Sequence, residues 1–164
     1  MISGKAIVLA DSNQVSQLFV IILTNAFEAL ETEQGEIDFS IHAVAIAFEQ
    51  ECLHGQLVPG LYAKITVSDN GLGVSQDRID KIFDPFYTSK NIGSGMGLSI
   101  ARGIVMAHNG GIDFRSMPFR GSTITVYLPA RAADELPALP LDSVPEADRS
   151  TILLVDDQLI YSRQ

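Results

Sequence analysis

The chain has 164 residues, 46% of them hydrophobic, which is enough for one core that removes roughly two-thirds of the chain's surface from water. A formal net charge of −9 with no basic cluster argues against a nucleic-acid surface, so an anionic ligand has to be held by local groups. Cys52 is the single cysteine, which excludes an internal disulfide or a cysteine-based zinc site; His42, His54 and His108 lack ligand spacing. The longest apolar run, Leu18 to Leu23, is too short to span a bilayer, and with no signal-peptide layout ahead of it the chain reads as cytoplasmic.

The first predicted element is a helix from about Ser12 to Glu31, with Asp11 as its N-cap and Gln14 at capping-box spacing. Val15, Leu18, Phe19, Ile22, Ala26, Phe27 and Leu30 share one stripe. Asn25 interrupts it and has to meet a partner or a ligand; for the residue alone, a satisfied core asparagine is the simpler reading. Residues 36–48 read as a strand in which Ile37, Phe39 and Ile41 alternate before the apolar phase shifts to Val44, Ile46 and Phe48, a shift that a bulge near Ala43 would explain. Gln50 to Gly60 reads as a loop. Leu61, Ala63, Ile65 and Val67 then alternate in a strand that delivers the carboxylate of Asp69 into Asn70-Gly71-Leu72-Gly73, a sequence that by itself is a turn. A short helix from Gln76 to Phe83 follows, capped by Ser75 and stopped at Asp84-Pro85.

Gly93, Gly95 and Gly97 alternate and run straight into an amphipathic helix. Backbone without Cβ atoms, free N–H groups and the positive end of a helix dipole make such a junction a place for anions, although the same residues read equally as a loop ahead of a core helix. Neither a lysine and hydroxyl after the last glycine nor a strand before the first is present, which excludes a Walker loop and a dinucleotide fingerprint. The absence of H-R-D and D-F-G tripeptides excludes the protein-kinase glycine loop. Strands at Ile112–Ser116 and Ser122–Leu128, separated by a turn at Pro118, close the domain. Pro129 to Ser150 is Pro-, Ala- and acid-rich and reads as a linker; Thr151–Val155 is an apolar strand ahead of Asp156-Asp157, expected to have no sheet to join here.

Taken in order, LTNAFEAL, DNGLG, KIFDPFYTSK, GSGMGLSI and GSTITVYLP resemble the N box, first glycine box, F box, second glycine box and closing strand of the ATP-binding catalytic domain of sensor histidine kinases. This is the Bergerat fold, shared more distantly with gyrase-type ATPases, and the match covers about Val8 to Leu128. The resemblance implies an α+β, two-layer α/β sandwich with a mixed sheet of about five strands on about three helices, occupying residues 1–129. TILLVDD resembles the first strand and acidic pair of a response-regulator receiver, which implies a linker over 130–150, the start of a receiver at 151–164 and a hybrid parent kinase.

ATP and Mg²⁺ are the implied ligands. Asp69 would accept a hydrogen bond from the adenine amine, Gly71 and Gly73 would let the backbone lie against the ring, and Thr123 would support the same edge through water. Asn25 would offer its amide oxygen to Mg²⁺. Lys90 would reach the terminal phosphate, Gly93, Gly95, Gly97 and Leu98 would surround the phosphates, and Phe83 and Phe86 would pack the base of the lid. No catalytic residue beyond nucleotide positioning is implied within this chain. The γ-phosphoryl group would pass to a histidine on an absent dimerisation domain, with a receiver domain as the further partner and no contact with nucleic acid or membrane. Gyrase-type relatives place a water-activating glutamate one turn before the N-box asparagine, where this chain has Ile21. That departure sets a hydrolysing ATPase, and beside it a non-catalytic ATP-binding module, as the alternatives.

Overall fold

The computed structural model describes residues 6–30, 35–88, 95–132 and 150–155, the last for their backbone alone. β1 (Ala6–Asp11) leads directly into α1 (Ser12–Ala29), so the chain's first strand lies just ahead of the predicted helix. Asp11 caps that helix: its backbone stays extended, and its Oδ1 accepts from the N–H groups of Asn13 and Gln14 at 2.9 and 3.0 Å. The capping-box reciprocal bond is replaced, because the Asp11 N–H is directed at Nε2 of His108, 3.4 Å away. α1 ends at Ala29, short of the expected Glu31.

β2 (Ile37–Ile46), β5 (Gly60–Asp69), β6 (Gly111–Met117) and β7 (Gly121–Ala132) supply the centre of the sheet, whose order is β2-β5-β7-β1-β8 with β6 also on β7. The α+β sandwich forms with five strands as its body and the segment Ser150–Val155, β8, as a sixth; every ladder between described strands runs antiparallel. One face of the sheet is covered by α1 and α3 (Gly97–Ala107). Leu18, Ile22, Ile65, Val67, Val105 and Val126 are 2% exposed or less there, each worth about 1.5–3 kcal/mol in transfer from water.

The expected bulge near Ala43 is absent: β2 and β5 pair without interruption from Ile37↔Asp69 to Ile46↔Gly60. The phase shift instead records a change of core. Ile37, Phe39 and Ile41 pack against the helix-side cluster, whereas Val44 and Ile46 pack on Leu57, Tyr62 and Tyr127. Since alternate side chains leave a strand on opposite faces, that second cluster lies across the sheet from the helices. It includes Leu57 of the small hairpin β3 (Gln50–Glu51) and β4 (Gln56–Leu57), within the stretch expected to be loop.

Two further boundaries differ from the sequence reading. β7 does not stop at Leu128 but continues to Ala132, with Pro129 opposite Tyr62 of β5. On its other edge β7 pairs with β6 up to Tyr127 and with β1 from Arg131, so Pro129 falls in the gap between two neighbours, where a missing N–H is tolerated. The helix expected from Gln76 to Phe83 is a single turn, α2 (Gln76–Ile79), followed by tight turns in which Arg78 O accepts from both Lys81 and Ile82 N–H. Ser75 precedes it without a side-chain capping bond. β8 finds a sheet after all, pairing with β1 along its whole length from Ala6↔Val155 to Asp11↔Ser150. Among the described residues no helix is long and apolar enough to cross a membrane.

Candidate ligand cavity

A cavity of about 480 Å³ opens between the layers, within the size range of small-molecule sites. α1 gives it Ile21, Asn25 and Glu28, the end of β5 gives Val67 and Asp69, and the turn after β5 gives Leu72 and Gly73. Tyr87, Thr88 and Gly95 form a third side, and Gly97 and Leu98 open α3 onto it.

The best-fixed polar group is Asp69. Its Oδ1 accepts from Gly71 N at 2.9 Å and from Ser122 N at 3.3 Å, so two backbone donors from different segments hold one oxygen of the carboxylate. Across the cavity Asn25 is half-buried, and its Nδ2 donates to Ile21 O, one turn back, at 2.9 Å. That bond uses one of the two Nδ2 hydrogens and fixes the amide, and its Oδ1 is an oxygen donor of the kind a hard cation takes. Among the described residues no group of three His, Cys, Asp or Glu gathers that would cage a metal, so phosphates and water would complete such an ion's shell.

α3 begins without a side-chain cap; its N-cap is Met96, and Ile100 N returns to Met96 O at 3.0 Å. Gly97 and Leu98 border the cavity in the first turn, at the positive end of an eleven-residue helix. A Cβ at Gly97 would stand 3.5 Å from both Asn25 Nδ2 and Ile21 Cγ2, an ordinary van der Waals contact, so the packing of the two helices does not itself demand glycine there.

Of the predicted positions, Asn25, Asp69, Gly73, Gly95, Gly97 and Leu98 converge on this one cavity. Lys90 and Gly93 lie outside the described residues. Thr123 does not converge: it sits on the opposite face of β7, its hydroxyl 2.9 Å from that of Ser68, and strand alternation instead puts Ser122 on the cavity side beside Asp69. Gly71 is required for packing, since a Cβ there would run into the carbonyl of Ala29 at the end of α1. Gly73 combines φ +63° with a similar close approach to the carbonyl of Met117, so it holds the turn's shape as well as lining the wall. Phe83 is fully buried, whereas Phe86 is 75% exposed at φ 68°; the lid they were expected to support lies outside the described residues. Ser122, Glu28, Tyr87 and Thr88 were missed by the sequence reading. Glu28 follows Asn25 by three residues, a helical spacing that carried the signal.

Phe83 joins the cavity to the β3–β4 hairpin. Its ring meets Phe114, a wall residue, at 6.2 Å and His54 at 4.7 Å, both edge to face. Burial, aided by Arg102, holds the His54 imidazole below its usual pKa against the opposing pull of Asp80 and Asp84, and its Nε2 is buried with no partner among the described residues. Burial and the nearby Asp113 push the Cys52 thiol up to about 11. None of the three histidines lines the cavity; His108 is engaged at the C-terminal end of α3, where Nδ1 lies 2.8 Å from Ile104 O.

Comparison with known proteins agrees with this arrangement. Residues 10–132 match the family described as histidine kinase-, DNA gyrase B-, and HSP90-like ATPase. The chain is 42% identical over 122 residues to the sensory histidine kinase/phosphatase NtrB of Escherichia coli O157:H7, covering 74% of this chain and 33% of that protein. It is 31% identical over 162 residues to the sensor kinase CckA of Brucella abortus (strain 2308), covering 92% of this chain and 17% of that protein. Among solved structures, a mycobacterial sensor histidine kinase, MprB, superposes with TM-score 0.60 at 25% identity over 76% of each chain. The chain thus spans a third or less of these two curated relatives, and it belongs to the histidine kinase-, DNA gyrase B- and HSP90-like ATPase family as a catalytic domain of the sensor histidine kinase kind.

Proposed function

We propose that the cavity binds Mg²⁺-ATP and holds its γ-phosphoryl group for transfer to a histidine supplied by a dimerisation domain of the parent protein. The observation that carries this reading is the placement of Asp69 and the start of α3 at two sides of one cavity. A fixed acceptor at one end suits the amino group of adenine, and a ring of backbone donors at the other suits phosphate. Guanine presents an acceptor where adenine presents its amine, so Asp69 would repel it. Asn25 Oδ1 would hold Mg²⁺, which when bound supplies neutralisation of phosphate charge. Gly97 and Leu98 would donate N–H bonds to the phosphate oxygens, while Ile21, Leu72 and Ile82 give the walls an apolar surface that limits water. The residues thus orient and stabilise but provide no nucleophile. We place the domain in the cytoplasm, where ATP is available, with a receiver domain taking the phosphoryl group onward.

Hydrolysis is the second reading, favoured by one observation: Glu28 reaches the cavity wall, although Ile21 occupies the position one turn before Asn25. Labelled ATP incubated with the chain alone, and then with the parent's separately expressed dimerisation domain, separates the two. Little phosphate release alone and label on the added histidine is the expected result. Rapid release by the chain alone, lost in Asn25→Ala and Glu28→Gln, would establish an ATPase instead.

A further inference from the structure

The outer edge of β1 is an acceptor for an added strand. β7 reaches only Ala6 and Ile7 of β1, whereas β8 opposes every residue from Ala6 to Asp11. Without β8, the backbone of Val8 to Asp11 would lack strand partners altogether among the described residues. The last pair is the informative one, because Asp11 has three further roles. It ends β1, its carboxylate caps α1, and its N–H is directed at His108 beyond the end of α3. The strand that pairs with Asp11 therefore bears on the entry of α1, the helix that carries Asn25.

We propose that residues 150–155 are a docking strand for this edge, seated in cis, and that their docking stiffens the Asp11 junction and through it the α1 side of the cavity. Geometry permits the cis connection easily. Six paired residues span about 20 Å, and the 17 residues from 133 to 149 can reach considerably further. The occupant is chemically suited, since Ser150–Val155 reads STILLV, a run of β-branched and aliphatic residues without charge. Each strand has two edges, so another sheet leaves β1 bare only if it takes the edge of these residues that β1 now pairs with. The effect on nucleotide rests on the function proposed above; the docking itself does not.

Two variants of the full chain test it. Leu9 is opposite Ile152 and half-exposed, so the Leu9→Cys, Ile152→Cys pair has the separation a disulfide needs, and Cys52, with its raised pKa, stays out of the exchange. Mild oxidation should give an intramolecular crosslink in the monomer; no crosslink, or a crosslinked dimer alone, overturns the cis strand. Ile152→Pro with Leu153→Pro removes two neighbouring N–H groups, one of which must face β1. Hydrogen exchange at Val8 to Ala10 should then speed by about tenfold or more while β5 and β7 amides stay as they were. Unchanged exchange in β1 overturns the proposal. ADP affinity should also fall by about fivefold, and a bare β1 with unaltered affinity refutes the coupling. If the parent chain binds no ADP, the function is at fault, and the crosslink and exchange still judge the strand.

Discussion

Asp69 shows how one side chain acquires a task from its surroundings. A carboxylate at a strand end would rotate freely in solvent, but the two N–H groups of Gly71 and Ser122 hold one of its oxygens and thereby aim the whole group. Replacing it by alanine should leave the fold and weaken ATP by roughly tenfold to a hundredfold, since a charge-assisted hydrogen bond is worth about 1.5–3 kcal/mol. Calorimetry checks this, and equal affinity of the parent for ATP and GTP would refute the adenine assignment. His54 makes a different prediction. Folding holds its imidazole neutral more firmly than the unfolded chain does, so the unfolded state takes up the proton first as pH drops below about 6.5. Stability is accordingly full above that value and falls as pH is lowered toward the depressed folded pKa. Melting temperatures between pH 7.5 and 5.5 should decline less steeply in His54→Gln than in the parent; parallel declines would show that His54 is not responsible.

At the scale of elements, the joints matter more than the bodies. α1 depends on Asp11 for its first N–H groups, and Asp11→Ala should cost about 1 kcal/mol, visible as a lower urea midpoint with an unchanged slope. An unaltered midpoint would mean that His108 and β8 hold the junction without the cap. α1, the β5 strand and its closing carboxylate were legible in the sequence because they are long and periodic, and α1 opens on a recognisable cap, whereas α2 and α3 begin without one. Asn25 was legible as an anomaly in an apolar stripe, and the glycine-to-helix junction as a place where a helix opens onto the cavity. What periodicity could not show was which of two faces a residue serves once a sheet has apolar clusters on both. Val44 and Ile46 belong to the second cluster, so their change of phase imitated a bulge. Thr123 and Ser122 are adjacent hydroxyls, and only the register with β5 shows that it is Ser122 that lines the cavity. Phe27 fitted the apolar stripe of α1 yet is 53% exposed, since it lies seven residues, about two turns, from the equally outward Val20. The β3–β4 hairpin has ladders of two residues, too short for any pattern to register.

For the molecule as a whole, the cavity's donors and acceptors belong to different layers. Asp69 is carried by the sheet, whereas Asn25, Gly97 and Leu98 are carried by the helices that cover it. A nucleotide spanning them, as proposed, would act as a tie-bar between layers joined at the cavity by apolar packing and by the Leu72 N–H bond to Ala29 O at 3.0 Å. Binding to the folded state only should raise the unfolding free energy by about 2.7 kcal/mol at a ligand concentration one hundred times its dissociation constant. Thermal melts with and without Mg²⁺-ADP measure this, and an unshifted melt at saturation would refute the bridging arrangement. If the ligand lies as proposed, a shear of the helical layer over the sheet, even by an ångström, would pull its adenine end and its phosphate end in different directions. On that placement, affinity in this domain would gauge how the two layers are aligned, and a partner that grips only the helices would release nucleotide without touching the cavity.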